Sequence, residues 1–233
     1  MIEQLKQDIL NILAKNEDAL RDFPSLQNNK EVVFEAVRQN GRALKYASDE
    51  LRADKEVVIE AVKQKGNALY YASEELRNDK EVVMEAVKES GWSLQYASED
   101  LRGDKEVVMV AVKQNGCALL FASEKLKANK EVVLEAVKQD SLSLRYASEE
   151  LRADKEFIIE AVKQNGLALE FASDELRANK EVVLIAIKQN GLALQFASKK
   201  LKDDYKVVFE AVEQNGEALR YVSKRMLKVF ANS

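Results

Sequence analysis

Histidine is absent from the 233 residues. The chain therefore lacks the one side chain that titrates near neutrality, and with it the usual acid–base pair and the commonest nitrogen ligand for metals. Cysteine occurs once, at Cys117. No intrachain disulfide can form, no cysteine cluster suits zinc or iron–sulfur, and a reducing compartment is the expectation. A single proline and eight glycines leave no Pro- or Gly-rich linker, so one domain is expected. Neither sign of charge is in large excess: 36 basic against 40 acidic residues give −4. Backbone recognition of a nucleic acid needs a surplus of Lys and Arg along one face, and the bulk field supplies none. No apolar run approaches the roughly 20 residues that cross a bilayer, and the N-terminus MIEQLKQDILNILAKNED carries acids where a signal peptide has an apolar core. The expectation is a soluble, cytoplasmic protein without a membrane partner; export by a route with no cleaved signal would leave no mark here. Walker and dinucleotide-binding glycine patterns are missing too.

What is present is a repeat. The segment DKEVVIEAVKQKGNALYYASEELRN, from Asp54 to Asn78, recurs every 25 residues without insertion, starting at Asn29, Asp54, Asp79, Asp104, Asn129, Asp154, Asn179 and Asp204. Asp54 is placed to cap a helix, and Glu56 puts negative charge in its first turn. Val57, Val58, Ile59, Ala61 and Val62 span about 200° of that helix, wider than a single buried stripe, so neighbours on more than one side must cover it. Glu56, Glu60, Lys63 and Gln64 fill the remaining face. Gly66 reads as a left-handed helix stop, as do the five Asn-Gly pairs at this corner. A second, shorter helix, NALYYAS, places Ala68, Leu69, Tyr71 and Ala72 inward and residues 67 and 70 outward. Ser73 and its seven equivalents read as caps for the turn that carries Leu76. They do not read as nucleophiles, because no activating base accompanies them.

Such a unit exposes too much apolar surface to fold alone, so copies must stack. The expected fold is an all-α solenoid, a superhelix of eight 25-residue two-helix repeats over residues 29–228. A degenerate N-terminal capping unit precedes it over 1–28, and a tail follows over 229–233. In the capping unit Ile2, Leu5, Ile9 and Leu13 form an amphipathic stripe that Pro24 ends. At the other end Leu227 and Phe230 are expected to cover the last copy.

The pattern [DN]-K-E-V-V-x-E-A-V-K-Q-N-G-x-A-L-x-[YF]-A-S-E-E-L-R resembles the repeat family known as domain of unknown function 4116, over roughly residues 25–226. The resemblance implies helical repeats and carries no assigned activity or functional residues. A looser similarity to the leucine-rich-variant repeat suggests a comparable superhelix by analogy.

Buried positions scarcely differ between copies; the position after the corner glycine differs most. It reads Arg42, Asn67, Trp92, Cys117, Leu142, Leu167, Leu192 and Glu217. Three residues on, the column reads Lys45, Tyr70, Gln95, Leu120, Arg145, Glu170, Gln195 and Arg220. The centre of this ridge is apolar: Trp92, Cys117, Leu120, Leu142, Leu167 and Leu192. Two readings stand: an interaction surface anchored by Trp92 and the leucines, or a column partly buried by curvature against the neighbouring corner. On the long helix, Val110 and Ile185 break a column of glutamates (Glu35, Glu60, Glu85, Glu135, Glu160, Glu210) and either extend the patch or are neutral changes. Ser141 replaces the corner glycine, at a cost of about 1 kcal/mol if the corner is left-handed.

Three functional classes follow. Catalysis is disfavoured, and no metal or cofactor is expected. A helical repeat that reads nucleic acid one base per unit is the alternative, with charge and leucines against it. A protein-interaction scaffold or structural spacer, binding an unknown protein or a second copy of itself, fits best.

Overall fold

The computed structural model describes residue 12 and residues 19–231 of the chain. The expected stripe of Ile2, Leu5, Ile9 and Leu13 and the side chain of Phe230 lie outside the described residues. Two compact units are present, residues 1–123 and 124–233, and each is an all-α stack of the 25-residue repeats. The boundary falls inside a repeat, between Ser123 and Glu124.

Each copy begins with a ten-residue α-helix: Lys30–Gln39, Lys55–Gln64, Lys80–Glu89 and Lys105–Gln114 in the first unit. In the second unit these are Lys130–Gln139, Lys155–Gln164, Lys180–Gln189 and Tyr205–Gln214. Asp54 caps its helix as expected, its carboxylate accepting from the N–H groups of Glu56 and Val57 at 3.0 and 3.2 Å. Val57, Val58, Ala61 and Val62 are fully buried, as are their equivalents in the copies that follow through Val162. Within each unit the long helices pack side by side in one layer, and a layer of short helices packs on them. The wide apolar arc is thus covered from both flanks.

The short helix is a 3-10 helix rather than an α-helix, Gly66–Tyr71 in the second copy. With three residues per turn, positions 67 and 70 fall on one outward edge while Ala68 and Leu69 are buried. The four-residue turn that follows, Glu74–Arg77, is capped by Ser73 Oγ, which accepts from Leu76 N. Six other serines of the column (48, 98, 148, 173, 198 and 223) accept in the same way.

The corner glycines differ from expectation. No glycine has positive φ, and the preceding residue is extended, with φ −149° and ψ 101° at Lys65. Close approach explains the glycine instead. A Cβ on Gly66 would stand 2.3 Å from the Ala86 carbonyl oxygen of the next copy, and one on Gly41 would stand 2.1 Å from that of Ala61. The Asn of Asn-Gly caps the 3-10 helix: Asn165 Oδ1, for example, accepts from Leu167 N at 3.2 Å. Ser141 therefore carries no left-handed strain. Its Cβ occupies the space that glycine leaves open elsewhere, and the helices Lys130–Gln139 and Lys155–Gln164 pack less closely than other neighbours within either unit.

The ends differ in detail as well. A 3-10 turn, Ala19–Asp22, stops just before Pro24, which itself opens another, Pro24–Leu26. At the C-terminus a helix runs from Lys224 to Ala231, where Met226 is buried in the place that Leu76 holds in its copy, and Leu227 is exposed rather than covering the last copy.

Candidate functional site

The copies are joined by three sets of polar contacts, which fix the surface between them. First, each turn serine donates its backbone N–H to a carbonyl 21 residues earlier, that of Gln27 for Ser48 and of an Arg or Lys for the rest, as in Ser73 N to Arg52 O and Ser173 N to Arg152 O, both 2.9 Å. Second, the last residue of a long helix reaches back to the preceding corner. Gln114 Oε1 accepts from Gly91 N, and Gln189 Oε1 from Gly166 N, both at 2.6 Å; Glu89 and Gln214 do the same for Gly66 and Gly191.

Third, the lysine after each cap reaches forward to the next cap. Lys55 Nζ lies 2.7 Å from Asp79 and 2.8 Å from Glu81, and Lys80 repeats the pair with Asp104 and Glu106. Lys130 and Lys180 meet Asp154 and Asp204; Lys155, whose successor cap is Asn179, meets Glu181. The ammonium groups of Lys80, Lys130 and Lys180 hold the carboxyls of Asp104, Asp154 and Asp204 below their ordinary range. At Asp54 and Asp79 burial opposes ionisation most strongly. Lys30 and Lys55, with the helix N–H groups, outweigh it and keep these pKa values low.

This framework aims the variable columns outward. In the first unit Arg42, Asn67 and Trp92 are exposed and Cys117 is half-buried on successive 3-10 helices, with Trp92 38% exposed and Leu120 38% exposed. The Trp92 ring meets the edge of Phe121 in the next copy, centroids 5.6 Å apart. In the second unit Leu142 is 46% exposed, whereas Leu167 and Leu192 are half-buried. The apolar part of the column is thus uneven in exposure: Trp92, Leu120 and Leu142 stand in solvent, while Cys117, Leu167 and Leu192 are half-buried. Val110 and Ile185 lie half-buried on long helices, apart from the row of 3-10 helices. Most of the glutamate column is half-buried rather than exposed.

Sequence reading missed one feature. Tyr70, 58% exposed, stands against Tyr71 and the next copy's Tyr96. With Tyr46, Arg42, Lys45 and Asn67 these rings line a hollow of about 290 Å³. The signal was a lone aromatic in the second variable column. Among the described residues no group of three or more acidic or thiol side chains is placed to hold a metal ion, and no helix is long and apolar enough to cross a membrane.

Stacked helical copies with a constant interior and a variable outer edge define an all-α tandem-repeat protein. The family model for a domain of unknown function (DUF4116) matches residues 6–52, 54–102, 79–127, 104–152, 129–177 and 179–227. Each match spans about two copies of the 25-residue unit, and the chain belongs to this family. No curated protein and no solved structure shows significant similarity to it.

Proposed function

We propose that the protein is a non-catalytic interaction scaffold, and that the outward edge of its 3-10 helices binds a protein partner or a second copy of the chain. Large apolar side chains standing outward in the two variable columns of the repeat carry this reading: Trp92 and Leu120 in the first unit, Leu142 in the second. Trp92 is of the type that anchors interfaces, and exposed apolar side chains such as Leu120 and Leu142 mark an interaction surface. In the second unit the half-buried Leu167 and Leu192 would extend the surface that Leu142 begins; Val110 in the first unit and Ile185 in the second would add separate apolar contacts on the long helices. Placement in a reducing compartment, where Cys117 stays a thiol, belongs to the same proposal.

The test replaces Leu142, Leu167 and Leu192 together with serine. Partner capture from native extract, or self-association followed by light scattering, is expected to fall at least tenfold with a small change in melting temperature. A large drop in melting temperature with association unchanged would assign these leucines to packing and end the proposal.

A further inference from the structure

The hollow around Tyr70 differs in kind from the rest of the ridge. It lies wholly within the first unit, where copies one to three meet. Tyr70 and Tyr71 stand edge to face at 5.1 Å, Tyr70 and Tyr96 at 5.3 Å. Lys45 Nζ lies 5.1 Å from the Tyr46 ring centre. No other copy has an aromatic residue at the Tyr70 position; the column elsewhere reads Lys, Gln, Leu, Arg, Glu, Gln and Arg. A 58% exposed ring adds little to core packing, so its placement here calls for another account.

The chemistry of the walls narrows the occupant. At about 290 Å³ the hollow accepts one large side chain and no helix. Tyrosine edges and faces favour another aromatic ring in offset or edge-on contact. Neither Arg42 nor Lys45 forms an ion pair among the described residues, so two cations at the rim await an anionic group. A cationic ring-binding ligand would be repelled by them. The neighbouring hollow, which shares Tyr70 and Tyr71, balances Asp49 and Glu74 against Arg52 and Arg77, so the positive rim does not continue into the cationic track that a polyphosphate chain needs.

We infer that this tyrosine box binds an acidic segment of a partner protein, seating an aromatic side chain among Tyr46, Tyr70 and Tyr96 and an adjacent carboxylate on Arg42 and Lys45. The inference rests on the reading of the 3-10 edge as a partner surface and gives that partner a chemical character.

The experiment uses the full chain on arrays of hexapeptides with a central Phe, Tyr or Trp flanked by Asp and Glu. Control arrays carry Lys flanks or a central Ala, and a labelled ten-residue oligothymidine is titrated in parallel. Acid-flanked aromatic peptides are expected to be retained at least tenfold over both controls. Tyr70→Ser and Arg42→Glu are each expected to reduce retention tenfold without lowering the melting temperature; Lys45→Glu serves if either fails to fold. Equal retention on all arrays, or retention unchanged in the folded variants, would overturn the inference. Preferential, Tyr70-dependent binding of the oligothymidine would overturn it in favour of nucleic acid. An inert box beside a leucine variant that loses its partner sinks this inference alone, whereas a working box beside an unaffected leucine variant sinks the ridge proposal alone.

Discussion

At the scale of single residues, the corner glycines show how one residue type answers to two physical demands. Glycine is favoured both where φ is positive and where another backbone comes too near for a Cβ. The corner belongs to the second case: Ala86 O would lie 2.3 Å from a Cβ on Gly66, while Gly216 has nothing within 4 Å. Gly66→Ala is therefore expected to cost about 1–3 kcal/mol as overpacking, a fall of roughly 2–4 °C per kcal/mol in a chain of this size. Gly216→Ala is expected to leave the melting temperature unchanged or slightly raised. In the same thermal series Ser141→Gly should raise it, since closing the corner outweighs the roughly 0.5–1 kcal/mol that glycine costs in chain entropy. Equal effects at Gly66 and Gly216 would show that close approach is not the reason for the glycine.

At the scale of elements, caps and periods were legible because they are local. Asp54 signals the helix start within three residues, Ser73 signals the turn, and the valines mark the buried face. The contacts between copies were not legible, because each joins groups more than 20 residues apart, such as Gln114 and Gly91. The lysines looked like solvated charge, and only the stack brings Lys80 to Asp104. The site divides the same way: the outward columns followed from period alone, whereas the tyrosine box needed three copies assembled. The lysine ladder makes stability depend on acid. Because Asp104, Asp154 and Asp204 have folded pKa values below the ordinary carboxylate value of about 3.9, their contribution is present above that value. It is lost as pH falls through the folded pKa. Urea midpoints are thus expected to drop below about pH 4, and Lys80→Met should lower the midpoint at pH 7 while shrinking the acid-induced drop. A drop of the same size in this variant would mean that the ladder does not set the acid response.

At the scale of the molecule, the interior of every copy is completed by its neighbours. Val57 and Val62 are wholly buried because the helices Lys30–Gln39 and Lys80–Glu89 pack on either side of their own. A peptide of residues 54–78 exposes both faces of that helix and has no partner for the Gly66 N–H or the Lys55 ammonium. Circular dichroism is expected to find it largely unfolded in water at 25 °C. A stably helical, cooperatively melting peptide would contradict the stacking account.

The reach from Gln114 back to Gly91 and from Lys80 forward to Asp104 has a further consequence. A typical copy carries both the hand that is offered and the one that is taken, so a gene could gain or lose 25 codons within a run of such copies and leave no join unmatched. Length in this architecture changes in whole steps, and the outer edge can diversify one step at a time while the joins stay the same.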